Sequence, residues 1–168
     1  ISTWRLEMFD SPFEQNNLVE IPDDVKVIFC ADLFLEDYVG GAELTSEAFI
    51  ESCPIKCYKL KSSLVTMDIL EKYHDRYWVF GNFAGLNTDL WPAIIGNLSY
   101  SVVEYDYKLC RYRSPEKHKF ETGNDCDCPD NIHGKLISAF FYGAKSIYWM
   151  SGKATGILLQ VISFLKKR

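Results

Sequence analysis

The run VKVIFCAD at residues 25–32 is apolar at nearly every position. A strand with one wet face alternates apolar and polar residues, whereas a strand that is apolar throughout must be covered on both faces, the condition of a central strand in a parallel sheet. This feature calls for helices above and below the strand, and the sequence supplies them. After a loop at 33–39 come Gly40-Gly41 and then AELTSEAFIESC at 42–53, whose Leu44, Ala48 and Cys53 fall near helical spacing before Pro54 stops the run.

The order then repeats. IKCYKL at 55–60 predicts a second strand, and residues 63–75, with Leu64, Met67, Ile69, Leu70 and Tyr73, predict a helix. YWVF at 77–80 predicts a third strand closing at Gly81, and residues 89–98 a short helix in which Pro92 is tolerated only near the first turn. SVVEYDY at 101–107 predicts a fourth strand, residues 132–143 a helix, and SIYWM at 146–150 a fifth strand. Strands and helices alternating in this way predict an α/β fold, a Rossmann-like parallel sheet flanked by helices with right-handed crossovers. Residues 110–131 are polar and rich in charge and turn residues, and read as one long loop.

Composition excludes several classes. A chain of 168 residues that is 48% hydrophobic and 15% aromatic can bury a core, which excludes disorder. The net charge of -5 has the wrong sign for a dedicated phosphate-backbone binder, so no nucleic acid is expected as a partner. The most apolar stretches, 136–150 and 157–165, are interrupted by Lys145 and Gln160 and fall short of the roughly 20 residues a membrane helix needs. The first residues lack the basic start and apolar run of a secretory signal. The six cysteines accompany a chain able to support its own core, and they read as mostly reduced thiols in a cytoplasmic protein.

Chemistry is sought at the carboxyl ends of the strands, where ligands of parallel sheets sit. Gly40-Gly41-Ala42-Glu43 lets backbone approach a ligand at a helix N-terminus, whose free amides suit a phosphate. A turn requiring positive φ is a second account of the same glycines. Asp32, Gly81-Asn82 and Tyr105-Asp106-Tyr107 also fall at strand ends. Asp32 and Asp106 are candidates to act as a base or to hold sugar hydroxyls, or else to cap the next turn. Cys110, Cys126, Cys128 and His133, with His118 nearby, spell C-x15-C-x-C-x4-H, which does not match the usual C-x2-C zinc knuckle. Surface-loop cysteines without a metal are the expectation, and a zinc-organised regulatory domain is the rival.

The ordered motifs resemble the N-terminal domain of GT-B glycosyltransferases, especially glycosyltransferase family 4. GGAE at 40–43 resembles that family's glycine-opened first helix. SVVEYDYKLC at 101–110 resembles its strand ending in His-Asp-Tyr followed by a cysteine, with Tyr105 standing where the histidine usually is. CDCPDN resembles a cysteine-containing insertion after that strand, and IYWMSGK at 147–153 resembles the strand leading toward the second domain.

The resemblance implies a Rossmann-like acceptor-side domain over 1–153 and a linker over 154–168, with a basic end at Lys166-Lys167-Arg168. It implies an enzyme that moves a sugar from a nucleotide-sugar to a sugar, lipid or polysaccharide acceptor with retention. Asp106 and Tyr105 would be its catalytic positions, and Gly40, Gly41, Glu43, Asp32 and Asn82 its substrate contacts. No metal and no cofactor is implied beyond the donor, which is a substrate. The donor contacts belong to a C-terminal GT-B domain absent from this chain, so the isolated chain is expected to be inactive. Peripheral membrane association is a further expectation, because family acceptors are often lipid-linked. The alternative is a non-catalytic α/β binding or interaction module.

Overall fold

Between residues 19 and 150, the part described by the computed structural model, five strands form one all-parallel sheet in the order β2-β1-β3-β4-β5. The strands are β1 (Val27–Ala31), β2 (Cys57–Lys61), β3 (Tyr77–Phe80), β4 (Ser99–Glu104) and β5 (Ser146–Trp149). All five residues of β1 are buried, as its unbroken apolar sequence requires, and the strand lies between β2 and β3. Val27 is level with Cys57 on one side and Tyr77 on the other, Tyr77 with Ser99, and Ser101 with Ser146.

Five α-helices accompany the sheet: α1 (Gly41–Ser52), α2 (Met67–Lys72), α3 (Trp91–Asn97), α4 (Pro115–Thr122) and α5 (Ile132–Gly143). Side-chain alternation along the strands makes two cores. Ile28, Cys30, Trp78, Phe80, Tyr100 and Val102 point to the face covered by α2, α3 and α5. Val27, Phe29, Ala31, Val79 and Val103 point to the other, where Phe34 and the α1 residues Phe49 and Ile50 pack. Phe140 of α5 centres the larger core: its ring lies 4.7 Å from Phe83, 5.1 Å from Trp91, 5.1 Å from Tyr100 and 5.2 Å from Phe80. The Tyr100 hydroxyl donates to the Phe140 carbonyl at 2.6 Å, which satisfies a polar group inside that apolar set.

Three local expectations are corrected. The helix expected over 63–75 is split, with a 3-10 turn at Ser62–Leu64 and a separate α2 capped by Thr66, whose hydroxyl accepts from the Ile69 amide at 3.4 Å. β4 ends at Glu104, because the backbone turns at Tyr105 and Asp106 instead of continuing the ladder. The stretch 110–131 is not all loop, since it contains α4. Ser114 caps that helix by accepting from the Lys117 amide at 3.1 Å, Pro115 sits in its first turn, and Gly123 closes it with φ 74°. The cap and stop signals were written in the sequence, but α4 has no apolar stripe to announce it.

Ser151-Gly152-Lys153, the linker expected over 154–168 and the first residues, expected to lack a secretory signal, lie outside the described residues. Among the described residues no helix is long and apolar enough to cross a membrane.

Phe140→Ala should cost about 3–5 kcal/mol, because it opens a void among four aromatic rings. Urea unfolding of the variant beside the parent measures it, and a loss below about 1 kcal/mol would mean that this core is not packed as described.

Candidate functional site

β1 leads into α1 on one face of the sheet and β3 leads toward α3 on the other, so the loops leaving these neighbouring strands part at their carboxyl ends. Such a switch point is where ligands of parallel sheets commonly bind. Asp32, one residue past β1, spans it. Its carboxylate accepts from the Ala84 amide at 2.8 Å, the Gly85 amide at 2.8 Å and the Ser62 hydroxyl, while its own amide donates to the Asn82 carbonyl at 2.7 Å. Asp32 therefore fastens the loop after β3 to the end of β1, and its oxygens are engaged by the fold itself. Gly85 permits this approach, since a Cβ there would lie 2.9 Å from Ser62 Oγ and 3.3 Å from Asp32 Oδ1. Asn82, brought against Asp32 by the backbone, keeps its side-chain oxygen buried and without a hydrogen-bond partner.

The glycine pair is not a positive-φ turn. Gly40 is extended (φ -134°, ψ 174°), and Gly123 is the glycine with positive φ among the described residues. A Cβ on Gly40 would meet Glu43 Oε2 at 2.5 Å and the Tyr38 ring at 2.7 Å, the ends of two side chains that can move aside. A Cβ on Gly41 would meet nothing within 4 Å. No side chain caps α1 at this end, and Glu43 sits in its first turn.

The two positions expected to be catalytic are both tied down. The Ser46 hydroxyl donates to the Ala42 carbonyl at 2.9 Å, so the 2.5 Å contact between Ser46 Oγ and Tyr105 OH has the tyrosine as donor. Tyr105 thereby fastens α1 to the end of β4, and burial pushes its phenol further up from its ordinary value, away from any role as a base near neutrality. Asp106 accepts from Arg113 Nη1 at 3.1 Å, with Lys108 Nζ at 3.8 Å.

Between them lies a pair the sequence reading did not single out. Glu104 and Lys108 are each 1% exposed. Lys108 Nζ donates to Glu104 Oε1 at 3.1 Å and to the Val103 carbonyl at 3.2 Å, and lies 5.3 Å from the centre of the Tyr105 ring. Glu104 Oε2 has no partner. Burial drives the Glu104 carboxyl up to about 7, an effect that the Lys108 charge and hydrogen bond offset only in part and that Asp106 adds to. The i,i+4 spacing of two charged residues was visible, but only the fold shows that both are inside.

The polar stretch after β4 brings a second group together. Cys110, His118, Cys126 and Cys128 place their ligating atoms within 4.8 Å of one another. His118, not His133, completes the set, because the His133 Nε2 is hydrogen-bonded to the Lys108 carbonyl at 3.0 Å. The expectation of surface-loop cysteines fails for Cys110 and Cys128, which are wholly buried. All six cysteines are free thiols.

No family model, no curated protein and no solved structure matches the chain.

The folded Glu104 carboxyl, at about 7, binds its proton more tightly than the free side chain at 4.5. Its contribution to stability is therefore complete below 4.5 and is lost as pH rises through about 7. Urea midpoints compared at mildly acidic and mildly alkaline pH should fall for the parent, and Glu104→Gln should remove most of that fall. An equal fall in both proteins would assign it to other groups. Separately, Asp32→Ala should destabilise the protein by about 2–4 kcal/mol, because two amides and a hydroxyl lose a charged acceptor. Faster amide exchange confined to residues 82–86 would identify the loop it holds.

Proposed function

We propose that this chain is the acceptor-side half of a GT-B glycosyltransferase, a domain serving transfer of a sugar from a nucleotide-sugar to a sugar, lipid-linked or polysaccharide acceptor with retention. The observation that carries the reading is the start of α1, where the helix opens at Gly41 onto free space with no side-chain cap. Backbone amides at such an end suit the diphosphate of a donor. In this reading a C-terminal GT-B domain supplies the contacts to the nucleotide, and without them the departing diphosphate is poorly stabilised. Tyr105 is then a positioning residue that holds α1 on the sheet. Asp106, half-exposed beside Arg113, is the carboxylate nearer to solvent and the better placed to meet an acceptor.

The bonds that hold Tyr105 and Asp106 favour a second reading, a non-catalytic binding module using the same end of the sheet.

The native gene product assayed with a panel of nucleotide-sugars and glycan acceptors, with released nucleotide as the readout, separates the two. Gly41→Val, which has room for its side chain, should lower release at least about tenfold with circular dichroism unchanged. Absence of release across the panel, together with glycan binding that Gly41→Val weakens, would replace the enzyme with the binding module.

A further inference from the structure

We propose that Cys110, His118, Cys126 and Cys128 hold one zinc ion in a closed tetrahedral Cys3His site that fastens α4 and the turn before α5 to the body of the domain. The ligands come from three segments: Cys110 from the turn after β4, His118 from within α4, and Cys126 and Cys128 from the turn that leads into α5. With zinc–sulfur bonds of about 2.3 Å and zinc–nitrogen bonds of about 2.0–2.1 Å, tetrahedral ligand atoms stand about 3.7 Å apart for two sulfurs and about 3.5 Å apart for sulfur and nitrogen. The His118 Nδ1 lies 3.6 Å from the Cys110 sulfur and 3.4 Å from the Cys128 sulfur, and all four ligand atoms fall within 4.8 Å.

Hydrogen bonding accounts for this arrangement only in part, through the Cys110 thiol donating to the Ser114 carbonyl at 3.5 Å. The Nδ1 atom carries either one proton or one lone pair, so it serves one sulfur at a time while two converge on it. A metal ion takes one lone pair from each ligand and satisfies all four together. The hydrophobic effect does not account for it either. His118 is the buried residue of α4, while Phe120 of the same helix is 87% exposed. A helix with a single imidazole inside and its one large apolar residue outside is not held by an apolar face, but ligation through that imidazole would hold it.

The surroundings fit a thiolate-bound metal. The Tyr112 amide donates to the Cys110 sulfur at 3.4 Å. The Asp127 carboxylate lies 3.9 Å from His118 Nε2, the nitrogen left over when Nδ1 ligates, and a small movement would complete a carboxylate–histidine–metal chain. Three sulfurs and an imidazole suit zinc among the common ions, and with four protein ligands no corner is left for water or substrate, so the ion is structural. Binding releases the thiol protons to solvent as Zn2+ takes three thiolates and one neutral imidazole.

The site is also linked to the end of β4. The Cys110 amide donates to the Tyr107 carbonyl at 3.0 Å, and the Cys110 carbonyl accepts from the Arg113 amide at 2.8 Å. Arg113 in turn grips Asp106. Anchoring Cys110 therefore sets the turn from which Arg113 reaches the end of the sheet.

Protein purified under reducing conditions without added metal should carry about one zinc per chain by elemental analysis. Replacement with Co2+ should give the absorption of a tetrahedral thiolate complex. His118→Ala and Cys128→Ser should each lower metal affinity at least about tenfold, while His133→Gln, outside the set, should retain it. Should those ligand variants fail to fold, the unaltered protein decides: a chelator should lower its melting temperature, and Zn2+ alone should restore it. A folded, reduced, metal-free protein that takes up neither Zn2+ nor Co2+ would overturn the proposal. So would zinc retained by His118→Ala and lost from His133→Gln.

Discussion

Burial of both faces of β1 is the constraint on which the rest of this structure depends. Ile28, Phe29 and Cys30 have no exposed surface, and neighbouring side chains point to opposite sides of the sheet. One layer of helices cannot cover such a strand, so the chain has to cross above the sheet and below it. α1 covers one face and α2, α3 and α5 the other, and the sheet grows outward from β1 in both directions. The switch point at the carboxyl ends of β1 and β3 follows from that alternation, because neighbouring loops leave toward opposite faces.

Polar groups at this end of the sheet serve the fold before they serve a ligand. Asp32 holds the loop after β3, Tyr105 holds α1 through Ser46, and Asp106 holds Arg113. At the open start of α1 backbone is left without a side-chain cap, and the buried oxygen of Asn82 is left without a hydrogen-bond partner. This division is physically reasonable for an α/β domain: side chains rigidify the rim, and amides at a helix end present the partial positive charge that an anion meets.

Beyond β4 the architecture changes in character. From Lys108 to Asn131 large apolar contacts give way to a buried ion pair, a polar helix and a cysteine–histidine cluster. Glu104 and Lys108 together carry a desolvation cost that each repays for the other only in part, which is why the carboxyl is pushed up to about 7. The turn above them is joined to the cluster through Cys110 and to α5 through His133. Leu109, Cys110 and Cys128 still bury themselves in the larger core, but α4 itself is held by polar atoms and not by an apolar face.

The sequence by itself determined the parallel α/β architecture, because unbroken apolar strand runs and helix-length segments between them encode two-sided burial locally. The bounds 77–80 for β3 and 132–143 for α5 were legible for that reason. Tertiary structure decided what short-range pattern does not contain. α4 has no apolar periodicity, so only its caps marked it. His118 and His133 are equally plausible neighbours of the cysteines along the chain, and only the path of the backbone through α4 turns one imidazole toward the sulfurs and the other toward Lys108. Asp32 reads the same in sequence whether its oxygens meet a ligand or a loop 52 residues away. Long-range approach of this kind arises from packing the whole sheet, so the partners of these side chains are decided only there.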